Sequence, residues 1–237
     1  MSIQFDKVQP KNKEQLKSLI EYTFNHNIYD LNFIDTSKIT DMSWLFVNVK
    51  HNFDISSWDV SNVTDMNHMF YDCDNFNCDL SKWNVSKVVN MFSTFSSCKK
   101  FKGKGLENWD VSAVTDMHYM FYECENLNCD LCDWDVSNVT NMWHLFDGCK
   151  KLDCDLSDWN VSKVKDMTSM FSGCKNFNCN LSRWNMSKVR NISYMFYNCT
   201  SFKGEGLYMW DASNIDDAIK TFKGCNKLTI PDWYDKL

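Results

Sequence analysis

The fold is decided by a segment that repeats along the chain, seen most clearly in residues 58–73, WDVSNVTDMNHMFYDC. A close echo, WDVSNVTNMWHLFDGC, occupies residues 134–149. The tryptophan of this segment recurs every 25 or 26 residues, at Trp58, Trp83, Trp109, Trp134, Trp159, Trp184 and Trp210. A fixed period of this length is typical of stacked repeat proteins, because a short unit buries its apolar face only against its neighbours.

Counting each Trp as position 0, position 3 is Ser and position 12 is Phe in all seven of these copies. A degenerate copy precedes them, with Ile34 in place of Trp and Phe46 at position 12. Eight copies therefore fill residues 34–225, with an N-terminal cap at 1–33 and a C-terminal cap at 226–237. We number the copies from 1 to 8, beginning at residues 34, 58, 83, 109, 134, 159, 184 and 210.

The apolar spacing changes within each copy. Positions 5, 8, 11, 12 and 15 are apolar, a one-sided spacing that predicts a short helix, with Ser at position 3 or Thr at position 6 as its start. From position 18 onward apolar and polar residues alternate, as in Leu152, Cys154 and Leu156, which predicts a strand. The expected fold is an α/β repeat solenoid, a stack of about eight 25-residue strand-plus-short-helix units.

Two departures from the repeat carry their own predictions. Leu16, Leu19, Ile20 and Phe24 share one face of a helix that begins after Pro10, which predicts a helical N-terminal cap. The segments 101–109 (FKGKGLENW) and 202–210 (FKGEGLYMW) each contain one extra residue and two glycines. We expect a bulge in each, which lets the extra residue loop out of the stack.

Composition excludes several classes of protein. The chain has 237 residues, 44% of them hydrophobic, and a formal net charge of -6, so it is neither disordered nor suited to nucleic acid as its main partner. No run of eighteen apolar residues predicts a membrane span. The first residues show no secretory signal, so the default expectation for its location is cytoplasmic.

Cysteine forms two series. Seven cysteines occupy position 15 and four occupy position 20, and Gly103 and Gly204 replace only the second series, so the two are independent. We expect small, buried, reduced thiols, while disulfides along a series stay open in an oxidising compartment. The one C-x-x-C pair, Cys129 and Cys132, has no second pair at zinc-site spacing. The expectation is therefore no metal and no cofactor.

Asp or Asn recurs at positions 1 and 7 of the copies. Carboxylates stacked in register repel one another, so these side chains either bond the local backbone at turns or hold a cation between them. Turns are the expected role, because no calcium-loop pattern accompanies them. No catalytic motif is present either, and every Ser and Cys of a series has a structural explanation, so the sequence predicts no enzymatic activity.

Variation between copies is the remaining functional signal. Positions 9, 10 and 13 vary, and many of the residues there are aromatic, including His68 and Phe92. Aromatic side chains are enriched in binding hot spots, although these rings could instead fold back and seal the stack. The predicted protein-binding residues are Tyr71, Tyr119, Tyr122, Trp143, His144, Tyr194 and Tyr197.

The expected function is that of a non-enzymatic repeat protein that presents a protein-binding surface, an interaction module. A structural protein that stacks end to end through its solenoid ends, or that coats a particle, is the alternative. A metal-binding or redox protein is the third interpretation. The partner's identity is open in each case.

The segments 58–73 and 134–149 resemble the BspA-like leucine-rich repeat family, whose short W-x-V-S-x-V-x-x-M-x-x-M-F-x-x-C units are also known as DUF285. The N-terminal stretch KNKEQLKSLI also resembles the lead-in found ahead of such arrays. The resemblance implies a leucine-rich-repeat-like solenoid for adhesion or protein binding, with no catalytic residues. It also implies association with a cell surface or a virion, although this chain lacks the export signal of many members.

Overall fold

The computed structural model describes residues 7–236, so residues 1–6 and Leu237 of the predicted caps lie outside the described residues. Helix α1 spans Lys13–Asn25, and three short 3₁₀ helices span Leu106–Asn108, Leu207–Met209 and Tyr234–Lys236. Across residues 7–236, β pairing is confined to isolated parallel bridges. The predicted α/β repeat solenoid of strand-plus-helix units is therefore wrong, because the copies are built from turns. No helix in this range is long and apolar enough to cross a membrane.

Neighbouring copies are joined by backbone hydrogen bonds from alternate residues. The N–H groups at positions 8, 10, 12 and 14 donate to carbonyls at positions 7, 9, 11 and 13 of the next copy, with Met117 in copy 4 as the exception. In copy 2 these bonds are Met66–Asn90 (3.0 Å), His68–Phe92 (2.9 Å), Phe70–Thr94 (2.8 Å) and Asp72–Ser96 (2.8 Å). Parallel bridges connect position 7 from Asp41 to Asp217. Equivalent residues therefore lie over one another along the chain.

The same bonding explains why the helical spacing gave the wrong local structure. The intervening amides close four-residue β-turns, since the N–H of Met69 donates to the Met66 carbonyl and that of Cys73 to the Phe70 carbonyl. His68 and Asp72 have φ values of 53° and 57°, outside the range of an α-helix. Because each turn advances about three residues, it puts apolar side chains on one side much as a helix does. No helix follows Ser61, whose N–H donates to Asp59 at 3.0 Å.

The alternating segment is likewise not a strand. Phe76, Cys78 and Leu80 are buried as the alternation predicts. Side chains, however, make part of the contact between copies here, since the N–H of Asn77 donates to the Asn52 side-chain oxygen at 3.0 Å. With side-chain oxygens standing in for carbonyls, a continuous backbone ladder does not form.

Tryptophan and phenylalanine connect the copies through the core. Each of the seven repeat tryptophans donates its Nε1–H to a backbone carbonyl 27 to 29 residues earlier in the chain. Trp134, which begins copy 5, donates to Leu106 near the end of copy 3 at 2.8 Å. The position-12 rings stack from Phe46 to Phe222 with centroids 5.2 to 5.8 Å apart. Both residue types are buried, so one apolar core runs through all the copies.

The predicted N-terminal helix is confirmed. The Asn12 side chain caps α1 by accepting from the Gln15 N–H. Leu16 and Ile20 are buried, and Leu19 and Phe24 pack against the core. The ring of Phe24 lies 6.3 Å from that of Phe46, so α1 covers the first copy and closes that end of the core.

The C-terminal segment continues the tryptophan series. Trp233 donates its Nε1–H to the Leu207 carbonyl at 2.8 Å, and its ring stacks on Trp210 at 6.1 Å. The periodicity missed this residue because Trp233 follows Trp210 by 23 residues rather than 25 or 26. Trp233 and Tyr234 both contact the ring of Phe222 in the last copy.

The two glycine-rich insertions form the 3₁₀ helices Leu106–Asn108 and Leu207–Met209. Gly105 and Gly206 precede them with φ values of 97° and 88°, which glycine adopts readily. Leu106 and Leu207 are buried in the core. The extra residue is therefore absorbed in a tight turn while the stacking of the copies continues.

Replacement of Gly105 tests this close packing. In Gly105→Ala, a Cβ would collide with the backbone of Ser81 and Leu80, in addition to the strain of positive φ. We expect the free energy of unfolding to fall by about 3 kcal/mol. Gly173→Ala is the matched control, since φ is also positive but the nearest atom, the Gly148 Cα, lies 3.6 Å from the added Cβ. There we expect about 1 kcal/mol. Equal losses in urea titrations would contradict the packing argument.

Candidate functional site

The candidate site lies where positions 9 and 10 form an outer corner of each copy, between core residues at positions 8 and 11. In copy 2 these core residues are Met66 and Met69, both fully buried. Position 10 has positive φ in every copy, including 59° at Trp44 and 54° at His144. Because the backbone turns at the same place each time, side chains from successive copies meet along one surface.

Five rings form a continuous row on this surface, which we call the aromatic row. The ring centroids lie 3.8 Å apart for Trp44 and His68, 4.4 Å for His68 and Phe92, 3.9 Å for Phe92 and His118, and 6.4 Å for His118 and Trp143. The row crosses copies 1 to 5, one ring from each copy. Trp44 stacks closely on His68 and Phe92 on His118, His68 meets Phe92 edge to face at 83°, and His118 lies parallel to Trp143 at the longer distance.

Several predicted binding residues adjoin the aromatic row. Tyr119 stacks on His144 at 4.6 Å and contacts Tyr122 and Trp143, each at 5.4 Å. Tyr71 joins the row through His68 at 5.5 Å. The structure thus brings five of the seven predicted residues to one surface: Tyr71, Tyr119, Tyr122, Trp143 and His144.

The other two predicted residues form a separate pair. Tyr194 and Tyr197 contact each other at 5.8 Å. Copy 6, which lies before them, has Thr168 and Ser169 at positions 9 and 10 and so contributes no ring. The aromatic surface is interrupted at this copy.

Sequence reasoning missed Trp44 and His118, which are essential to the continuity of the row. Trp44 belongs to the degenerate first copy, where the repeat pattern is weakest. The row also shifts from position 10 in copies 1 and 2 to position 9 in copies 3 to 5. Treating positions 9 and 10 as a single corner would have revealed it.

The rings are partly packed and partly open to solvent. Trp44 is 50% exposed, Trp143 38% and Tyr71 37%, whereas the other rings of this surface are half-buried. The rings therefore do both things that the sequence left open: they pack between neighbouring copies, and they also reach the surface. Burial lowers the pKa of His68, with a further lowering from His118 and an opposing effect of Asp65. Burial likewise raises the pKa of Tyr119 and of Tyr122.

Asp and Asn at position 7 hold the backbone that leads into the corner. The side-chain oxygen of Asp65 accepts from the Asn67 N–H at 2.9 Å, and Asn141 accepts from the Trp143 N–H at 3.1 Å. Position 1 behaves in the same way, as Asp59 does with Ser61. The predicted turn role of these residues is confirmed.

The charged side chains of the copies that form the aromatic row are mainly acidic. Over positions 5 to 14, copies 1 to 5 contain no Lys or Arg, and their carboxylates are Asp41, Asp65, Asp72, Asp116, Glu123 and Asp147. Lys13 pairs with Asp41 at 3.0 Å, and Lys50 pairs with Asp72 at 2.7 Å. We call the other four carboxylates the acidic rim. Within residues 7–236 the rim has no salt bridge to Lys or Arg, although His118 contacts Asp116 and His144 contacts Asp147 at 2.7 Å.

The position-15 cysteines act as buried hydrogen-bond donors. Each donates its thiol to a phenylalanine carbonyl of the preceding copy, as Cys73 does to Phe46 at 2.8 Å and Cys149 to Phe121 at 3.0 Å. Burial raises the pKa of Cys73 to about 12, so its thiol stays protonated at neutral pH. The predicted burial of these residues is confirmed from Cys73 to Cys199, while Cys225 at the end is partly exposed.

A shallow pocket of about 430 Å³ gathers the cysteines of the C-x-x-C pair. It is lined by Asn128, Cys129, Asp130, Cys132, Asp153, Cys154 and Asp155. Burial raises the pKa of Cys129 to about 12. In the described part of the chain, no group of three or more His, Cys, Asp or Glu is arranged to hold a metal ion.

A comparison with protein families agrees with this repeat structure. The family described as "Mycoplasma protein of unknown function, DUF285" matches residues 14–134 and 115–233. The chain belongs to the DUF285 family. No curated protein and no solved structure matches it. Since the description of the DUF285 family assigns no activity, the function has to be argued from the residues of this member.

Alkaline titration tests the role of the thiols. Because burial raises the pKa of Cys73 from an ordinary value of 9.0 to about 12, its stabilising effect is complete below pH 9 and is lost as the pH rises from 9 toward 12. The free energy of unfolding of the wild type should fall between pH 8 and pH 10.5. In Cys73→Ser, which lacks the titrating thiol, this fall should be smaller by about 2 kcal/mol. Urea titrations under reducing conditions measure both slopes.

Met91→Leu provides the control, since it alters the core without removing a titrating group. Its slope should equal that of the wild type. An unchanged slope in Cys73→Ser would contradict the assignment of a raised pKa to this thiol.

Proposed function

We propose that this protein is a non-enzymatic binding module that holds a protein partner on its aromatic row. The observation that carries the proposal is the continuity of the row, from Trp44 to Trp143, with the indoles at its two ends 50% and 38% exposed. Exposed apolar patches that are contiguous and have a polar border commonly mark interaction sites. Trp and Tyr are also the residue types enriched in binding hot spots.

The row is also pre-organised for binding. Neighbouring rings hold one another in place, as Tyr119 and His144 do by stacking at 4.6 Å. The backbone beneath is held by hydrogen bonds between copies and by the position-7 side chains. Side chains that are already ordered lose little entropy on association, so more of the contact energy appears as affinity.

Association with a cell surface or virion, which the BspA-like resemblance implies, and the default cytoplasmic location both stay predictions. The resemblance to adhesion proteins agrees with a protein-binding role. The activity itself is a proposal that rests on the row of this chain.

Replacing the two end indoles tests the proposal. The chain itself supplies tolerated residues, because Ser93 and Ser169 occupy position 10 and Thr168 occupies position 9 in other copies. In the double variant Trp44→Ser/Trp143→Thr we expect at least about a tenfold loss of the proteins captured by the immobilised wild type, as hot-spot residues are lost. Quantitative mass spectrometry of the captured fraction measures this loss.

The control removes two exposed apolar side chains elsewhere, in Tyr208→Gln/Met209→Asn. Asn108 stands at the place of Met209 in copy 3, so that exchange fits the fold. Capture should be unchanged. If the indole variant keeps its fold, by circular dichroism, and captures every partner as well as the wild type, the aromatic row is not the site.

End-to-end assembly is a second candidate, favoured by the open edge of the last copy. The N–H groups of Ala218, Lys220, Phe222 and Gly224 have no following copy and donate no hydrogen bond within the described residues. Such an edge is a template for pairing with another chain. The opposite end is packed against α1, whose Lys13 pairs with Asp41, so head-to-tail stacking would require α1 to move. Assembly therefore ranks second.

Sedimentation velocity distinguishes this candidate. Assembly through the open edge predicts a mass that rises with protein concentration. Ile219, which is 57% exposed, lies on that edge, so Ile219→Lys should abolish the rise by adding a charge there. A monomer mass at all concentrations removes the candidate.

A further inference from the structure

We propose that the aromatic row takes a cationic partner: a protein segment whose Arg or Lys side chains lie against the acidic rim and over the two end indoles. This inference rests on the proposed function, since it specifies the chemistry of the partner for the same surface. It is carried by three observations on the charge, the ring faces and the internal contacts of the chain.

The first observation is the missing positive charge. Asp65, Asp116, Glu123 and Asp147 border the row without a Lys or Arg partner in the described residues. Elsewhere this chain does pair its carboxylates between copies, as Lys99 does with Asp74 and Lys150 with Glu125. The rim is therefore a local concentration of negative charge beside an apolar surface. Interfaces of high specificity match such a patch with opposite charge on the partner.

The second observation comes from copies 6 to 8, which provide their own cations. Over the same positions 5 to 14 these copies contain Lys165, Arg190, Lys220 and Lys223. The Nζ of Lys220 lies 5.6 Å from the centroid of the Tyr194 ring, both at position 10. This corner of the repeat thus accepts an ammonium group on an aromatic ring where the chain offers one. In copies 1 to 5 a partner would have to bring it.

The third observation is that the row ends in indole faces. In the described part of the chain, Trp44 has a ring contact with His68 alone, nearly parallel at 11°, so a ring covers one face only, and half of the side chain is exposed. Trp143 lies parallel to His118 at 7°, and the next copy places Thr168 at its position. Indole is the aromatic ring that binds cations most strongly, and the cation lies over its face. Each end of the row therefore offers a site for an Arg or Lys side chain.

The same charges disfavour other occupants. An acidic peptide, a nucleic acid or an anionic membrane surface would be repelled by the rim, because like charges at an interface oppose association. The inner rings cover one another, since Phe92 and His118 stack and His68 meets Phe92 edge to face. An extended segment with alternating apolar and basic residues matches a row of packed rings bordered by carboxylates.

Selection from a random peptide library tests the inference without a known partner. Phage that display random twelve-residue peptides would be selected on the immobilised protein, and the recovered sequences compared with the unselected library. We expect enrichment of peptides with net positive charge, lost on Trp44→Ser/Trp143→Thr. Peptides that depend on the two indoles but are neutral or acidic would overturn the cationic partner and leave the proposed function standing. If no recovered peptide depends on the indoles, both fail.

Charge removal then measures the contribution of the rim, with substitutions taken from other copies. Asn90 and Asn141 occupy position 7, Ser97 occupies position 14 and Ser96 occupies position 13. The rim variant is therefore Asp65→Asn/Asp116→Asn/Glu123→Ser/Asp147→Ser. The Asn residues keep the turn hydrogen bond, as Asn90 does to the Phe92 N–H at 3.1 Å. Affinity for a selected cationic peptide should fall by about tenfold at low salt.

A second variant removes the same number of charges from another corner of the copies: Asp59→Asn/Asp110→Asn/Asp135→Asn/Asp211→Asn. Asn84, Asn160 and Asn185 occupy this position 1 in other copies, so the fold accepts the exchange. Isothermal titration should show the control close to the wild type. Equal affinity losses in both variants would mean that only net charge matters, and would overturn the assignment of the rim as the cation site.

Discussion

Everything in this structure depends on the hydrogen bonds that alternate backbone amides make to the next copy. They use the N–H groups at positions 8, 10, 12 and 14, which in a helix would bond four residues back along the same chain. The remaining amides close tight turns within the copy. A copy of about 25 residues thus satisfies only part of its amides by itself, and the others need carbonyls of a neighbouring copy.

The side chains follow from this bonding. Since it places equivalent residues over one another, an apolar residue at one position becomes a continuous series, as the phenylalanines from Phe46 to Phe222 show. Polar groups in the core then need partners at the same spacing. The Trp indoles and position-15 thiols supply donors to carbonyls of earlier copies, for example Trp134 to Leu106 and Cys149 to Phe121. These unusual residue frequencies therefore have a structural cause.

Surface residues of successive copies are aligned in the same register as the core residues. Because the corner at positions 9 and 10 recurs in each copy, rings that are scattered in the sequence become the aromatic row, and carboxylates up to 82 residues apart, Asp65 and Asp147, become its rim. The surface varies more freely than the core, since a residue at the corner can change without breaking the stack. This freedom is what allows one group of copies to carry rings and acids while another carries its own cations.

The sequence by itself determined the repeat of about 25 residues, the buried positions, the turn role of Asp and Asn, and a helix after Pro10, which the structure places at Lys13–Asn25, because periodicity and burial are properties of residue order. Most of the aromatic site could also be found, from Tyr71 to His144, but not its continuity through Trp44 and His118. Only the tertiary structure decided the local conformation. A spacing of three to four residues fits both a helix and a series of turns, and the choice depends on whether an amide bonds its own copy or the next, a contact that no single copy specifies.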